Sequence, residues 1–265
     1  MLIDLHNHTA MCCHAFGEME EYVNAAVERG IKIFGFAAHS PWMPQDDEKM
    51  ALSYQEVDFY ITEVKRLQKK YADKIDILLG MEMDFLPDHT DEAIEFDHKY
   101  GFDYIIGSIH HINGWGFDQE TQLHLYQKHS VREIYEGYYD LVKQLAGSGL
   151  FDVIGHLDLV KKFGYYPEDG WGDLQEEVAQ TIAENDVVVE LNTSGLDKPA
   201  KEFYPGTDFL KILKKYGVSM TLGSDAHAPD QVGRHFGPAV QLLKKIGYRE
   251  VIAFKNRKRI PVSLG

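Results

Sequence analysis

Residues 3–14 read I-D-L-H-N-H-T-A-M-C-C-H, and the junction at Leu5 bears directly on the fold. A short apolar strand, Leu2–Leu5, ends there in a loop holding His6, His8 and His14. An open doubly wound sheet would place a glycine-rich phosphate loop after its first strand. This loop contains no glycine. His6 and His8 are two residues apart, so on an extended strand end they project to the same side. Two imidazoles from one strand tip make half of a metal's first shell. An exposed polar terminus could carry the same residues, and the rest of the chain decides between the two readings.

Working outward, the same alternation recurs: a short apolar run, a polar loop, then a stretch with helical period. The strand candidates are Leu2–Leu5, Ile33–Ala37, Ile75–Gly80, Tyr104–Gly107, Val153–Gly155, Val187–Leu191 and Ser219–Leu222. Each is brief and rich in β-branched or aromatic residues. Between them, apolar residues fall three or four apart, as in Val57, Ile61, Val64, Leu67 and Tyr71, and in Ile134, Tyr138, Leu141, Val142 and Leu145. Leu174, Val178 and Ile182 repeat the spacing, as do Ala239, Leu242, Leu243 and Ile246. Gly30, Gly147, Gly149 and Gly217 are placed to end helices. Strands alternating with helices pair in parallel through right-handed crossovers. About seven such units, with strands apolar enough to be covered on both faces, predict an α/β closed barrel. At 265 residues the chain has the length of one such barrel, so residues 1–265 are expected to form a single domain.

Composition narrows the function. A net charge of −15 repels a nucleic-acid backbone, so a polymer of phosphates is not the expected partner. The basic run Lys255-Asn256-Arg257-Lys258-Arg259 is short and reads as a solvated chain end. The only cysteines, Cys12 and Cys13, are adjacent and make a poor staple, which fits free thiols in a reducing interior. They read as loop packing. No signal-peptide pattern and no run of about twenty apolar residues is present, so the expectation is a cytoplasmic protein without a membrane span.

Placed on the strand map, the histidines and carboxylates show a pattern. His6 and His8 follow the first strand, His39 the second, Glu82 the third, His110 the fourth, and His156 the fifth. Asn192 follows the sixth, and Asp225 with His227 the seventh. A lone histidine after a strand is ordinarily a hydrogen-bonded loop residue. Here every strand ends in a ligand-type or amide residue, and a parallel barrel gathers those ends on one face, where such folds carry their chemistry. His89, His98, His124, His129 and His235 lie in helical or loop stretches and read as structural or surface. The set exceeds what one ion can use, so a multinuclear centre is expected, with Glu82 able to bridge because a carboxylate has two oxygens.

With H-x-H near the start, then A-A-H-S, G-x-E, S-I-H-H, G-H-L-D and a final S-D-A-H, the chain resembles the PHP superfamily of phosphoesterases. G-W-G-F-D and E-L-N-T-S-G make it most similar to the histidinol-phosphatase branch. The resemblance implies a distorted (β/α)7 TIM-like barrel and up to three divalent ions, zinc, iron or manganese. It implies that His6, His8, Glu82 and Asp225 hold one ion, that Glu82 bridges to a second on His110 and His156, and that His14, His39 and His227 hold the third. It also implies a small phosphorylated substrate, L-histidinol phosphate, hydrolysed by a hydroxide that bridges the metals. Where members of this branch place arginines for phosphate, this chain has Asp197 with Lys198, and Lys161 with Lys162. Lysine offers a point charge where arginine offers a fork. Lys161, Asn192 and Arg234 are the candidate phosphate-binding residues, and Asp225 and His111 the candidate proton donors. Competing readings are a phosphodiesterase or exonuclease of the same superfamily, a zinc amidohydrolase whose barrel also opens with H-x-H, and a metal-holding module without turnover. Oligomeric state is not legible in the chain.

Overall fold

The computed structural model describes residues 1–41 and 50–265. Seven parallel strands form one sheet: β1 (Leu2–Asp4), β2 (Ile31–His39), β3 (Asp76–Asp84), β4 (Tyr104–Ser108), β7 (Val153–Ile154), β8 (Val188–Asn192) and β9 (Met220–Gly223). Their order in the sheet is their order in the chain. The strands are apolar on both faces and buried almost throughout, as a parallel sheet covered by helices requires. Beyond its last strand the sheet returns to its first. Leu5 N–H donates to Leu222 O at 2.9 Å and His8 N–H to Ala226 O at 2.9 Å, so the barrel is nearly closed.

Among the described residues seven helices clothe it: α1 (Met19–Glu28), α2 (Tyr54–Lys70), α3 (Thr90–Tyr100), α4 (Val131–Gly147), α5 (Gly172–Glu184), α6 (Thr207–Lys215) and α7 (Phe236–Ile246). α2 buries Val57, Tyr60, Ile61, Val64 and Leu67, and α4 buries Ile134, Tyr138, Val142 and Leu145. Both begin in a capping box, Ser53 with Glu56 and Ser130 with Glu133, which satisfies otherwise orphaned N–H groups. A two-residue hairpin pair, β5 (His111–Ile112) and β6 (Trp115–Gly116), interrupts the path from β4 to α4. Among the described residues no helix is long and apolar enough to cross a membrane.

Tyr104 of β4 fills part of the barrel interior. The Tyr104 hydroxyl crosses it to donate to Leu5 O at 2.5 Å. A Cβ on Gly35 would come within 2.0 Å of that hydroxyl, and one on Gly80 within 2.3 Å of the ring. Those two glycines make the space the ring occupies.

One sequence expectation is corrected here. Lys255-Asn256-Arg257-Lys258-Arg259 is largely exposed, as expected, but forms the turn of an antiparallel hairpin, β10 (Glu250–Lys255) with β11 (Lys258–Ser263), rather than a loose end. Asn256 and Arg257 take φ of 48° and 63°, the left-handed pair that matches strand twist in a two-residue turn. Arg257 reaches Asp97 and Asp152 at 2.7 Å each and donates to Leu150 O at 2.8 Å. Asn256 N–H and Arg257 N–H donate to Asp103, which immediately precedes β4. Phe254 stacks on Tyr104 with ring centroids 6.0 Å apart. The hairpin thus floors the barrel at the amino ends of its strands, and Arg257 is spent on carboxylates there.

Candidate metal centre and its cavity

At the opposite end of the barrel, strand register sets the site. His39 and Glu82 are Cα partners across β2 and β3, and Asp84 pairs with Ser108 across β3 and β4. Glu82 and Asp84 alternate on β3, so both point to the same face. From the loop after β1 come His6, His8 and His14; from just beyond β4, His110; from the turn after β7, His156; and from the loop after β9, Asp225 and His227.

These nine residues converge. Three groups bring their ligand atoms within 4.8 Å of one another: His6, His8 and Asp225; Glu82, His110 and His156; and His8, His14, His39 and His227. The grouping expected from the resemblance is close to this one, except that His8 falls in two groups and Glu82 in one rather than two. Glu82 lies between them. Its Oε2 is 3.2 Å from His6 Nε2, 3.4 Å from His8 Nε2 and 3.1 Å from His39 Nδ1. Its Oε1 is 2.9 Å from His156 Nε2 and accepts from Ser108 Oγ at 2.6 Å. One carboxylate therefore turns its two oxygens toward two different sets of imidazoles.

The donor set suits divalent cations, on three observations. His6 Nε2, His39 Nδ1 and Glu82 Oε2 are buried without a hydrogen-bond partner among the described residues, an arrangement that costs free energy unless something else satisfies it. His14 Nε2 faces His227 Nε2 at 2.9 Å, and His110 Nε2 faces His156 Nε2 at 3.2 Å; ring nitrogens brought this close can ligate a common cation once they shed their protons. Burial, then His227, holds His14 down to about 4, and burial likewise holds His39 at about 4 despite Glu82. Neutral imidazole is the form that binds metal.

Surrounding carboxylates fix the tautomers. His6 Nδ1 lies 2.8 Å from Glu190 Oε1, so the ring proton sits there and Nε2 faces the centre. Glu190 also accepts from His156 N–H at 2.7 Å and from Asn192 Nδ2 at 3.1 Å. His110 Nδ1 lies 2.6 Å from Asp84 Oδ1. Burial alone would lower the His110 pKa, but Asp84 and then Glu82 overcome it and hold the ring up to about 10. Asp4 ties β1 to the far end of the chain, accepting from Ser224 N–H at 2.9 Å, Ser224 Oγ at 2.6 Å and Gly233 N–H at 2.9 Å. Sequence reasoning missed Glu190, Asp84 and Asp4; the signal available was an acidic residue two positions from Asn192, Glu82 and His6 on each strand. Exchange of Glu190 for glutamine is expected to weaken metal binding roughly 10- to 100-fold, read by competition with a chromogenic chelator. Unchanged affinity would remove Glu190 from this role.

The centre opens into a cavity of about 550 Å³ whose lining includes His8, His14, Glu82, Lys162, Lys198 and Arg234. Arg234 is held by Ser224 O at 2.9 Å, Asp225 O at 2.8 Å and Asp197 at 3.4 Å. Lys162 donates to Asp118 O at 2.7 Å and pairs with its carboxylate at 3.1 Å. Two expected phosphate contacts are not at the lining. Lys161 is 1% exposed, in ion pairs with Asp158 at 2.9 Å and Glu202 at 2.8 Å; the 3-10 turn Leu159–Lys161 buries it and leaves Lys162 at the cavity. Asn192 is fully buried and positions Glu190 and Asp225, donating to them at 3.1 and 3.4 Å. His111 shares Asp84 with His110, at 3.2 Å, and does not line the cavity. Cys12 is buried, which pushes its thiol up to about 12, and Cys13 is exposed; neither lines the cavity. His89, His98, His124 and His129 are exposed, and His235 pairs with Asp197 at 2.9 Å.

Comparison with known proteins adds an independent line. Residues 4–194 match the PHP domain. A protein of Deinococcus radiodurans named probable histidinol-phosphatase is 36% identical over 98% of this chain and 99% of its own length. One of the same name from Schizosaccharomyces pombe is 30% identical over 93% of this chain and 87% of its own. Among solved structures, the histidinol phosphate phosphatase of Lactococcus lactis, complexed with zinc, L-histidinol and phosphate, superposes with a TM-score of 0.81 at 25% identity, covering 98% of each chain.

Proposed function

Because the chain belongs to the PHP-domain family, we propose that it is a metal-dependent phosphomonoesterase acting on L-histidinol phosphate. The observation that carries the reading is the position of Glu82, with one oxygen toward His6, His8 and His39 and the other toward His156, beneath a cavity that also presents Lys162, Lys198 and Arg234. A site that clusters cations and then adds three more positive side chains is built for an anion with concentrated charge.

His6, His8, Glu82 and Asp225 would hold one ion, Glu82, His110 and His156 a second, and His14, His39 and His227 a third. When bound, such ions supply Lewis acidity and lower the pKa of an attacking water. The chain's own residues do the rest. Glu190 and Asp84 keep His6 and His110 in the ligating tautomer. Ser108 and Ser194 donate to Glu82 and Asp225 at 2.6 and 3.2 Å and hold those carboxylates in orientation. Arg234, fixed by two backbone carbonyls, presents a preorganised charge toward the phosphoryl oxygens, where it costs little reorganisation during reaction. Lys162 and Lys198 add point charges. Asp118 and Glu120 share the same lining, so a phosphate joined to a cationic body, as in an amino alcohol bearing an imidazole, matches it. The volume is that of a small-molecule site.

The test is inorganic phosphate release by the metal-loaded protein. Saturable turnover is expected on L-histidinol phosphate, with no shortening of labelled single-stranded DNA. Degradation of the DNA without phosphomonoester turnover would overturn the proposal in favour of a nuclease.

A further inference from the structure

The site described so far lacks a group that protonates the departing alcohol. An alkoxide is a poor leaving group, and proton transfer to it is one of the larger contributions a positioned side chain makes. Of the carboxylates at the cavity, Glu82 accepts from Ser108, Asp225 from Ser194 and Asp118 from Lys162, while Glu120 is exposed to solvent. Arg234 stays charged.

Tyr204 differs from these. It lines the cavity, it is 1% exposed, and its hydroxyl is buried without a hydrogen-bond partner among the described residues. Buried hydroxyls are normally paired, and an unpaired one beside a binding cavity calls for an explanation. The residue is also held firmly. Its backbone exchanges hydrogen bonds with Asn192, N–H to O at 3.1 Å and in return at 2.7 Å. Asn192 in turn donates to Asp225. Behind the ring, Lys161 Nζ lies 5.8 Å from the ring centroid, itself locked between Asp158 and Glu202. Gly195 packs so closely that a Cβ there would fall 3.0 Å from the ring carbons. A rigid phenol with an unspent donor beside the cavity is arranged to give a hydrogen bond to whatever the cavity holds.

We propose that Tyr204 is the proton donor to the leaving group. Its hydroxyl donates to the bridging ester oxygen of the bound phosphomonoester. As the phosphorus–oxygen bond breaks, the phenolic proton passes to that oxygen, which leaves as the neutral alcohol. The phenolate recovers a proton from water after product departs. Burial, reinforced by the Asp158, Asp225 and Asp118 carboxylates, holds this phenol well above its ordinary range, so it keeps its proton until a base as strong as an alkoxide forms. Lys162, Lys198 and Arg234 share the cavity with it and leave the phosphoryl charge already neutralised, which makes the ester oxygen the one site still lacking a partner.

The inference rests on the phosphomonoesterase reading, and the experiment separates the two. Wild type, Tyr204→Phe and Lys198→Met are loaded with metal, checked for metal content, and assayed on L-histidinol phosphate and on p-nitrophenyl phosphate, whose leaving group needs no proton. Tyr204→Phe is expected to lose about 100-fold in kcat on the alkyl ester and only a few-fold on the aryl ester, with full metal content. Lys198→Met is expected to lose comparably on both. Equal losses on both esters for Tyr204→Phe, no loss on either, or a loss that tracks lost metal would overturn the donor assignment. So would a loss confined to the alkyl ester in Lys198→Met, which would transfer the role to the lysine. Wild type inactive on both esters would instead sink the parent reading.

Discussion

Exchange of Glu82 for glutamine is expected to lower kcat/KM on L-histidinol phosphate by about 1,000-fold or more. The amide keeps the side chain's shape but replaces one oxygen with an NH2 group, which cannot ligate. Whichever way it turns, one of two imidazole sets loses its shared anion: His6, His8 and His39 on one side, or His156 on the other. The site is 1% exposed at this position, so water does not readily fill the gap. Metal-borne charge stabilisation is worth several kcal/mol, and each 1.36 kcal/mol is about tenfold in rate, which sets the scale. Elemental analysis should show fewer ions per chain than in wild type. Near-normal turnover with a full metal complement would mean that Glu82 does not bridge.

Removing the metals is expected to abolish turnover and to soften the fold. Seven imidazoles and two carboxylates converge at one mouth, with nitrogens face to face at 2.9 and 3.2 Å. Without ions, His6 Nε2, His39 Nδ1 and Glu82 Oε2 stay buried without a hydrogen-bond partner among the described residues, which costs free energy. A ligand at a hundred times its dissociation constant stabilises a protein by about 2.7 kcal/mol, which for a chain of this size is a shift of several degrees in Tm. Dialysis against dipicolinate, then desalting, should therefore give a protein with background activity and a lower melting temperature. Adding back zinc, manganese or ferrous iron should restore both. Phosphate release from protein shown by elemental analysis to be metal-free would contradict the proposed chemistry.

Much of this was legible in the amino-acid order, and what was not has a common cause. The seven strands announce themselves because each is buried on both faces and therefore apolar without alternation, as in Ile77, Leu78 and Leu79 of β3. The four helical stripes in α2, α4, α5 and α7 are equally plain. α3 buries only Ala93 and Phe96, too few apolar residues to mark a stripe in the sequence. The ligand residues stood out because they recur at strand ends. Their supporting carboxylates did not, because Glu190 gains its meaning only from the neighbour whose ring it meets, His6, 184 positions away. Lys161 and Lys162 are adjacent and alike; a single 3-10 turn sends one into an ion pair and the other to the cavity. Tyr204 sits in an irregular loop, and only its pairing with Asn192 brings it to the wall.

The floor and the mouth also constrain how the molecule can come into being. The mouth draws on His6 and on His227, and the plug beneath it on residues 250–263. A growing chain that already holds H-x-H and Glu82 still lacks Asp225, His227 and the hairpin base, because all of these follow more than a hundred residues later. The full set of ligands can therefore assemble only after the segment holding Asp225 and His227 has been made, and no shorter fragment offers more than part of it.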